Sequence, residues 1–115
     1  MGRGDPPFLS MAKNHHVYDF ETISNCFIPI YTHYKEDIDH VFVIHETRND
    51  LLSLLGFLDE CKREGSWQIG YNCIAFDAQI QQYILINRSA LLKLSGDEVA
   101  RRIYEKAQDV IGKRN

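Results

Sequence analysis

The chain is short of cysteine, proline and positive charge, and each shortage excludes a class of protein. Its 115 residues contain three cysteines, Cys26, Cys61 and Cys73, an odd number with no CxxC pair. That pattern argues against a disulfide framework or a zinc knuckle and predicts reduced thiols in a cytoplasmic setting. Lys and Arg number 13 against 16 Asp and Glu, a formal net charge of −3. A domain that gripped nucleic acid by a basic face alone would be cationic, so a nucleic-acid function here would need bound metal ions to supply positive charge. No apolar run approaches the ~18–20 residues that span a bilayer, and residues 1–13 lack the apolar stretch of a signal peptide, so no membrane association is expected. What is present, 44% hydrophobic and 25% charged residues, is the make-up of one ordinary globular domain. It excludes a disordered tail, a collagen-like repeat and a coiled coil.

Met1 to Lys13 carries Gly2, Gly4, Pro6 and Pro7 with little periodicity and reads as a flexible leader, with Met11 as an alternative start. Arg3-Gly4-Asp5 spells an adhesion tripeptide, which in a chain without an export signal is a chance match. The domain itself is expected over residues 14–115. Val17 to Glu21 reads as a strand. Cys26 to Tyr34 reads as a second, with Pro29 suggesting a bulge or an edge. His40 to His45 reads as a third, and the tight spacing makes these an antiparallel meander. The period then becomes helical: Leu51, Leu54, Leu55, Leu58 and Cys61 share one face, with Asn49 or Asp50 as N-cap and Gly65 as the stop. Trp67 to Tyr71 is a fourth strand. A second helix starts near Phe76 and buries Phe76, Ile80, Tyr83 and Ile84. A third begins at Ser95, where Ser95 and Glu98 suit a capping box, and carries the stripe Val99, Ile103, Ala107 and Val110. The order βββαβαα predicts an α/β fold with a mixed sheet, three antiparallel strands plus a parallel fourth reached by a crossover helix.

Two groups of residues could carry chemistry. In Asp19-Phe20-Glu21 the carboxylates at i and i+2 project from one face of a strand, while Tyr18 and Phe20 point into a core. Neighbouring carboxylates on an apolar strand repel each other, and a divalent cation with oxygen ligands, magnesium or manganese, would relieve that. Taken alone, a strand end whose acids reach solvent explains the tripeptide better. In Gly70-Tyr71-Asn72-Cys73-Ile74-Ala75-Phe76-Asp77 a strand ends in a turn and Asp77 enters the first turn of a helix, where the macrodipole favours an acid. Asn72 could simply cap that turn.

Together, the two segments form a pattern. Val17-Tyr18-Asp19-Phe20-Glu21-Thr22 followed by Ile69-Gly70-Tyr71-Asn72-Cys73-Ile74-Ala75-Phe76-Asp77 resembles motifs I and II of the DEDD (DnaQ-like) 3′–5′ exonucleases of the RNase H-like superfamily. The similarity is greatest to the exonuclease domain of phage-type DNA polymerases and runs over roughly Val17 to Ile111. The resemblance implies an RNase H-like fold and metal-dependent phosphodiester hydrolysis at the 3′ end of single-stranded DNA, in the cytoplasm of a phage-infected or host cell. It implies that Asp19 bridges two Mg2+ or Mn2+ ions, Glu21 ligates one and Asp77 completes the second ion's shell. Phe20, Thr22 and Asn72 would meet the substrate strand. One ion would activate water and the other would stabilise the leaving oxygen.

The family has a fourth acid on a late helix, preceded by a Tyr or His that orients the water. Tyr104 and Asp109 are the nearest candidates here, but their spacing is five rather than four, and such residues do not share a helix face well. A solvent-facing Asp109 is the better explanation. The resemblance therefore implies a domain lacking its last strand and helix, with weak or no hydrolysis alone, and an open edge at Trp67–Tyr71 that invites a second copy or a missing C-terminal segment. A non-catalytic nucleic-acid- or protein-binding relic of the same fold is the alternative, and a plain structural domain is a third reading. Among the remaining features, His15-His16 reads as a pair of exposed leader histidines, and His33, His40 and His45 show no ligand spacing. Trp67 reads as core or edge packing. The basic residues, Lys62-Arg63, Arg101-Arg102 and Lys106 among them, read as a solvated helix face.

Overall fold

A computed structural model describes residues 14–70 and 75–114. Its elements are β1 (His16–Ile23), β2 (Cys26–His33), β3 (Asp39–Val41), β4 (Ile44–His45), β5 (Arg48–Asn49), α1 (Leu51–Glu64), β6 (Gln68–Gly70), α2 (Ala75–Ile86), α3 (Arg88–Leu91) and α4 (Gly96–Arg114). They form an α/β fold with one mixed sheet in the order β5-β4-β2-β1-β6, in which β3 also pairs with β2. The β1–β6 pair is parallel and the other pairs are antiparallel. The expected meander and parallel fourth strand are therefore present. Tyr71, expected to end that strand, lies outside the described residues, as does the leader.

The third strand departs from expectation. It is broken into β3 and β4, and β5 and α3 are additional. Pro29 accounts for the break, though by neither a bulge nor an edge. The register does not slip across the gap: Ile30 faces Val41 and Phe27 faces Ile44. The Pro29 carbonyl accepts the Phe42 N–H at 3.1 Å. The Pro29 nitrogen faces the same neighbour and has no proton to return. The pairing thus lapses at Phe42–Val43, while the ladder to β1 on the other side stays unbroken from His16 to Ile23. Asp50 secures this stretch, accepting the Val43 N–H at 2.9 Å and the Arg48 Nε–H at 2.8 Å.

One face of the sheet holds the core. Tyr18, Phe27, Tyr31 and Ile44 from the strands pack with Leu51, Leu54, Leu55 and Leu58 of α1, Ile80 and Ile84 of α2, and Val99, Ile103 and Ala107 of α4. Each leucine of α1 so buried contributes roughly 1.5–3 kcal/mol. Its buried face is the one that the spacing predicts. Gly65 ends α1 in the left-handed region at φ 71°, where a side chain would be strained. Asp50 stands at the N-cap without a capping side-chain bond, its carboxylate being engaged by Val43 and Arg48, while Asn49 Oδ1 takes the Leu51 N–H at 3.1 Å.

The stripe of α4 is buried as expected, but the capping box is replaced. Ser95 Oγ donates to Asp97 at 2.7 Å, and Glu98 turns instead to Arg101 and Arg102. Gly96 is required where α4 meets β4, since a Cβ there would stand 2.0 Å from the His45 carbonyl oxygen. α3, which the sequence did not signal, is tied to α1 by a two-pronged Arg88–Asp59 pair at 3.0 and 2.7 Å. No helix among the described residues is long and apolar enough to cross a membrane.

Candidate functional site

Side chains alternate along β1, so His16 and Tyr18 are buried while Asp19 and Glu21 are exposed together on the opposite face. Phe20 is half-buried on the core side and meets the rings of Tyr18 and Phe27 at 5.1 and 5.2 Å. The backbone alternates as well. Because the Pro29 carbonyl points away from β1, its partner Phe20 turns its own N–H away from β2, toward the side where β6 runs. There the described residues of β6 pair with β1 at His16, Val17 and Tyr18, and the carboxylate of Asp77 accepts the Phe20 N–H.

This contact brings Asp77, in the first turn of α2, to the carboxyl ends of the parallel pair and beside Asp19. In open α/β sheets that end of the strands is where ligands gather. The Asp77 carboxyl is held above the ordinary carboxylate range, first by burial and then by the negative charge of Asp19, against which the Phe20 N–H acts. The Tyr18 hydroxyl is pushed up too, by burial and then by Asp77. Burial and mutual repulsion of this kind are what a hard divalent cation relieves. The Asp19–Asp77 pair therefore fits such an ion by its donor chemistry. Glu21 shares the Asp19 face, but among the described residues no three His, Cys, Asp or Glu side chains are gathered closely enough to hold a metal ion.

Thr22 is half-buried, and its Oγ1 is buried without a hydrogen-bond partner among the described residues. Asn72 lies outside the described residues. Asp109 is exposed on α4 with its carboxylate 3.9 Å from Lys106 Nζ. Tyr104 is half-buried on the same helix.

The histidines overturn their sequence reading. His15 and His16 are both 2% exposed, not solvated leader residues. They do point apart: His15 lies between Tyr34 and Trp67 and takes the Trp67 N–H on Nδ1 at 2.9 Å, whereas His16 meets His33, His40 and Phe57. The signal that could have found this is the two-residue period, which puts His16 on the face of Tyr18, and His33 on the face of Tyr31. Trp67, just before the edge strand β6, is 54% exposed.

No protein-family model, curated protein or solved structure matches the chain.

Proposed function

We propose that the chain is a DEDD-type 3′–5′ exonuclease domain of RNase H-like fold, with Asp19, Glu21 and Asp77 as the acids that hold Mg2+ or Mn2+. The observation that carries this reading is the meeting of Asp19 and Asp77, two acids from the separate motifs, next to the Tyr18–Gly70 pair of β1 and β6, with Asp77 raised by burial and by Asp19. A purely structural first-turn Asp would face solvent and need no neighbouring carboxylate. Bound divalent ions would activate water and stabilise the leaving 3′ oxygen. The chain's own contribution is to hold the acids. The Phe20 N–H fixes Asp77, and the β1–β2 ladder fixes Asp19 and Glu21 on one face, while the side chains of Phe20 and Thr22, which the resemblance would have meet a terminal nucleotide, are half-buried on the other.

A second reading is a non-catalytic nucleic-acid- or protein-binding domain of the same fold. It is favoured by the lack of a third side chain converging with Asp19 and Asp77 among the described residues. Degradation of a 5′-labelled single-stranded DNA in Mg2+ or Mn2+ separates the two. Stepwise loss from the 3′ end that is abolished by EDTA and by Asp19→Ala is the result expected of the enzyme. Equal, background loss from the wild type and the variant would end the catalytic reading.

A further inference from the structure

On the core side of β1, at the end remote from Asp19 and Asp77, α1 and the strands leave an open cavity of about 280 Å3. Its floor is apolar, with Phe57, Ile38 and Cys61, and its rim carries three carboxylates, Glu36, Glu60 and Glu64, with no Lys or Arg among the described lining residues; Glu60 also pairs with Arg63, outside the lining, and Glu64 accepts the Asn14 side-chain amide at 3.1 Å. His16 lines it too, 2% exposed, and its Nδ1 has no hydrogen-bond partner among the described residues. A buried ring nitrogen left unpaired costs free energy until a partner reaches it.

His33 is already committed, its Nδ1 accepting the Lys35 and Glu36 amides at 3.2 and 3.1 Å and its Nε2 lying 3.1 Å from Asn14 Oδ1. The Phe57 ring sits 5.0 Å from His16 and 4.8 Å from His40, so an aromatic surface adjoins the unpaired nitrogen. No three metal-ligating side chains converge among the described residues, which disfavours a metal ion as the occupant. The remaining chemistry is specific: an N–H donor for His16, positive charge for the acidic rim, and an apolar body for the floor.

We propose that this cavity is a binding site for a small organic ammonium ion with an aromatic or short aliphatic body. The ammonium group donates to His16 Nδ1 and faces the Glu36, Glu60 and Glu64 carboxylates, while the body lies against Phe57. This site stands apart from the acids of β1 and does not depend on the exonuclease reading. Burial, then His40 and His33, hold the His16 imidazole down to a pKa of about 4, so it is neutral at neutral pH.

The test is a titration of the full chain at pH 7 with benzylammonium, followed by amide and imidazole chemical shifts, with benzyl alcohol as the neutral counterpart and zinc chloride as a third arm. Saturable shifts at His16, Phe57 and Cys61 are expected, with affinity for the ammonium on the order of tenfold above the alcohol. Glu60→Gln, at an exposed position that leaves the fold intact, is expected to narrow that difference. His16→Leu is expected to remove most of it. Equal binding of alcohol and ammonium, no saturation, or zinc binding at His16 without ammonium binding would each overturn the proposal.

Discussion

The burial of His16 makes a quantitative pH experiment possible. Its folded pKa is about 4 against an ordinary value of 6.5, because burial and the neighbouring His40 and His33 imidazoles disfavour its charge; the Asn14 main chain and Glu64 act in the opposite direction. Glu36 and Glu60 also line its cavity. At pH 5 the unfolded chain has protonated this imidazole and the folded chain has not, so the unfolded state binds more protons and stability falls as the pH falls. The loss begins near 6.5, is complete near 4, and integrates to about 2 kcal/mol between pH 7 and pH 5. His16→Leu keeps the side chain apolar and of similar size while deleting both the titration and the unpaired Nδ1. Urea unfolding of both proteins at pH 7, 6 and 5 is expected to show the wild type losing about 2 kcal/mol more than the variant across that range. At pH 7 the variant should equal or exceed the wild type, by up to about 1 kcal/mol, since an unsatisfied buried acceptor is gone. Parallel pH dependences in the two proteins would refute the argument, because they would mean that His16 is not the group held neutral.

Further outcomes follow from the same structure. Asp77 is raised above its unfolded pKa, so its ionised form opposes folding and stability is lost as pH rises through the folded pKa. Asp77→Asn, which keeps an acceptor for Phe20, is therefore expected to stabilise the chain at pH 7 by up to about 1 kcal/mol after solvent screening, read by thermal melting. Magnesium should stabilise the wild type more than this variant, and equal shifts would remove Asp77 from the metal set. Gly96→Ala should cost about 2–3 kcal/mol in urea unfolding, because its Cβ would drive α4 off the His45 carbonyl; a neutral effect would mean that the contact relaxes freely. Pro29→Ala restores an N–H opposite Phe42, and hydrogen exchange is expected to find the new amide at position 29 protected. Rapid exchange there would discard the account of why β3 and β4 are separate.

Local pattern was sufficient wherever one element decided its own exposure. The helical spacing of four leucines and Cys61 marked the buried face of α1, Gly65 marked its end, and the period of two put Asp19 and Glu21 together on one side of β1. These readings hold because helix and strand periods are set by backbone geometry, before any neighbour is known. The two-residue period also placed His16 beside Tyr18, but a histidine's polarity hid the inference, and only α1, laying Phe57 over the strand, made that position a buried one. Pro29 shows the limit from the other direction: the missing N–H is legible, but which ladder it interrupts depends on which neighbour the nitrogen faces. The same holds for Asp77. Its place in a first turn could be read locally, whereas its approach to Asp19 depends on α2 bringing its carboxylate to the Phe20 N–H. The sequence by itself determined the buried faces of β1 and α1 and the end of α1 at Gly65, because those follow from side-chain type and backbone period. The tertiary structure alone decided which carboxylates meet and which histidine is left with an unpaired nitrogen, because both depend on the desolvation and charge that distant segments impose on one another.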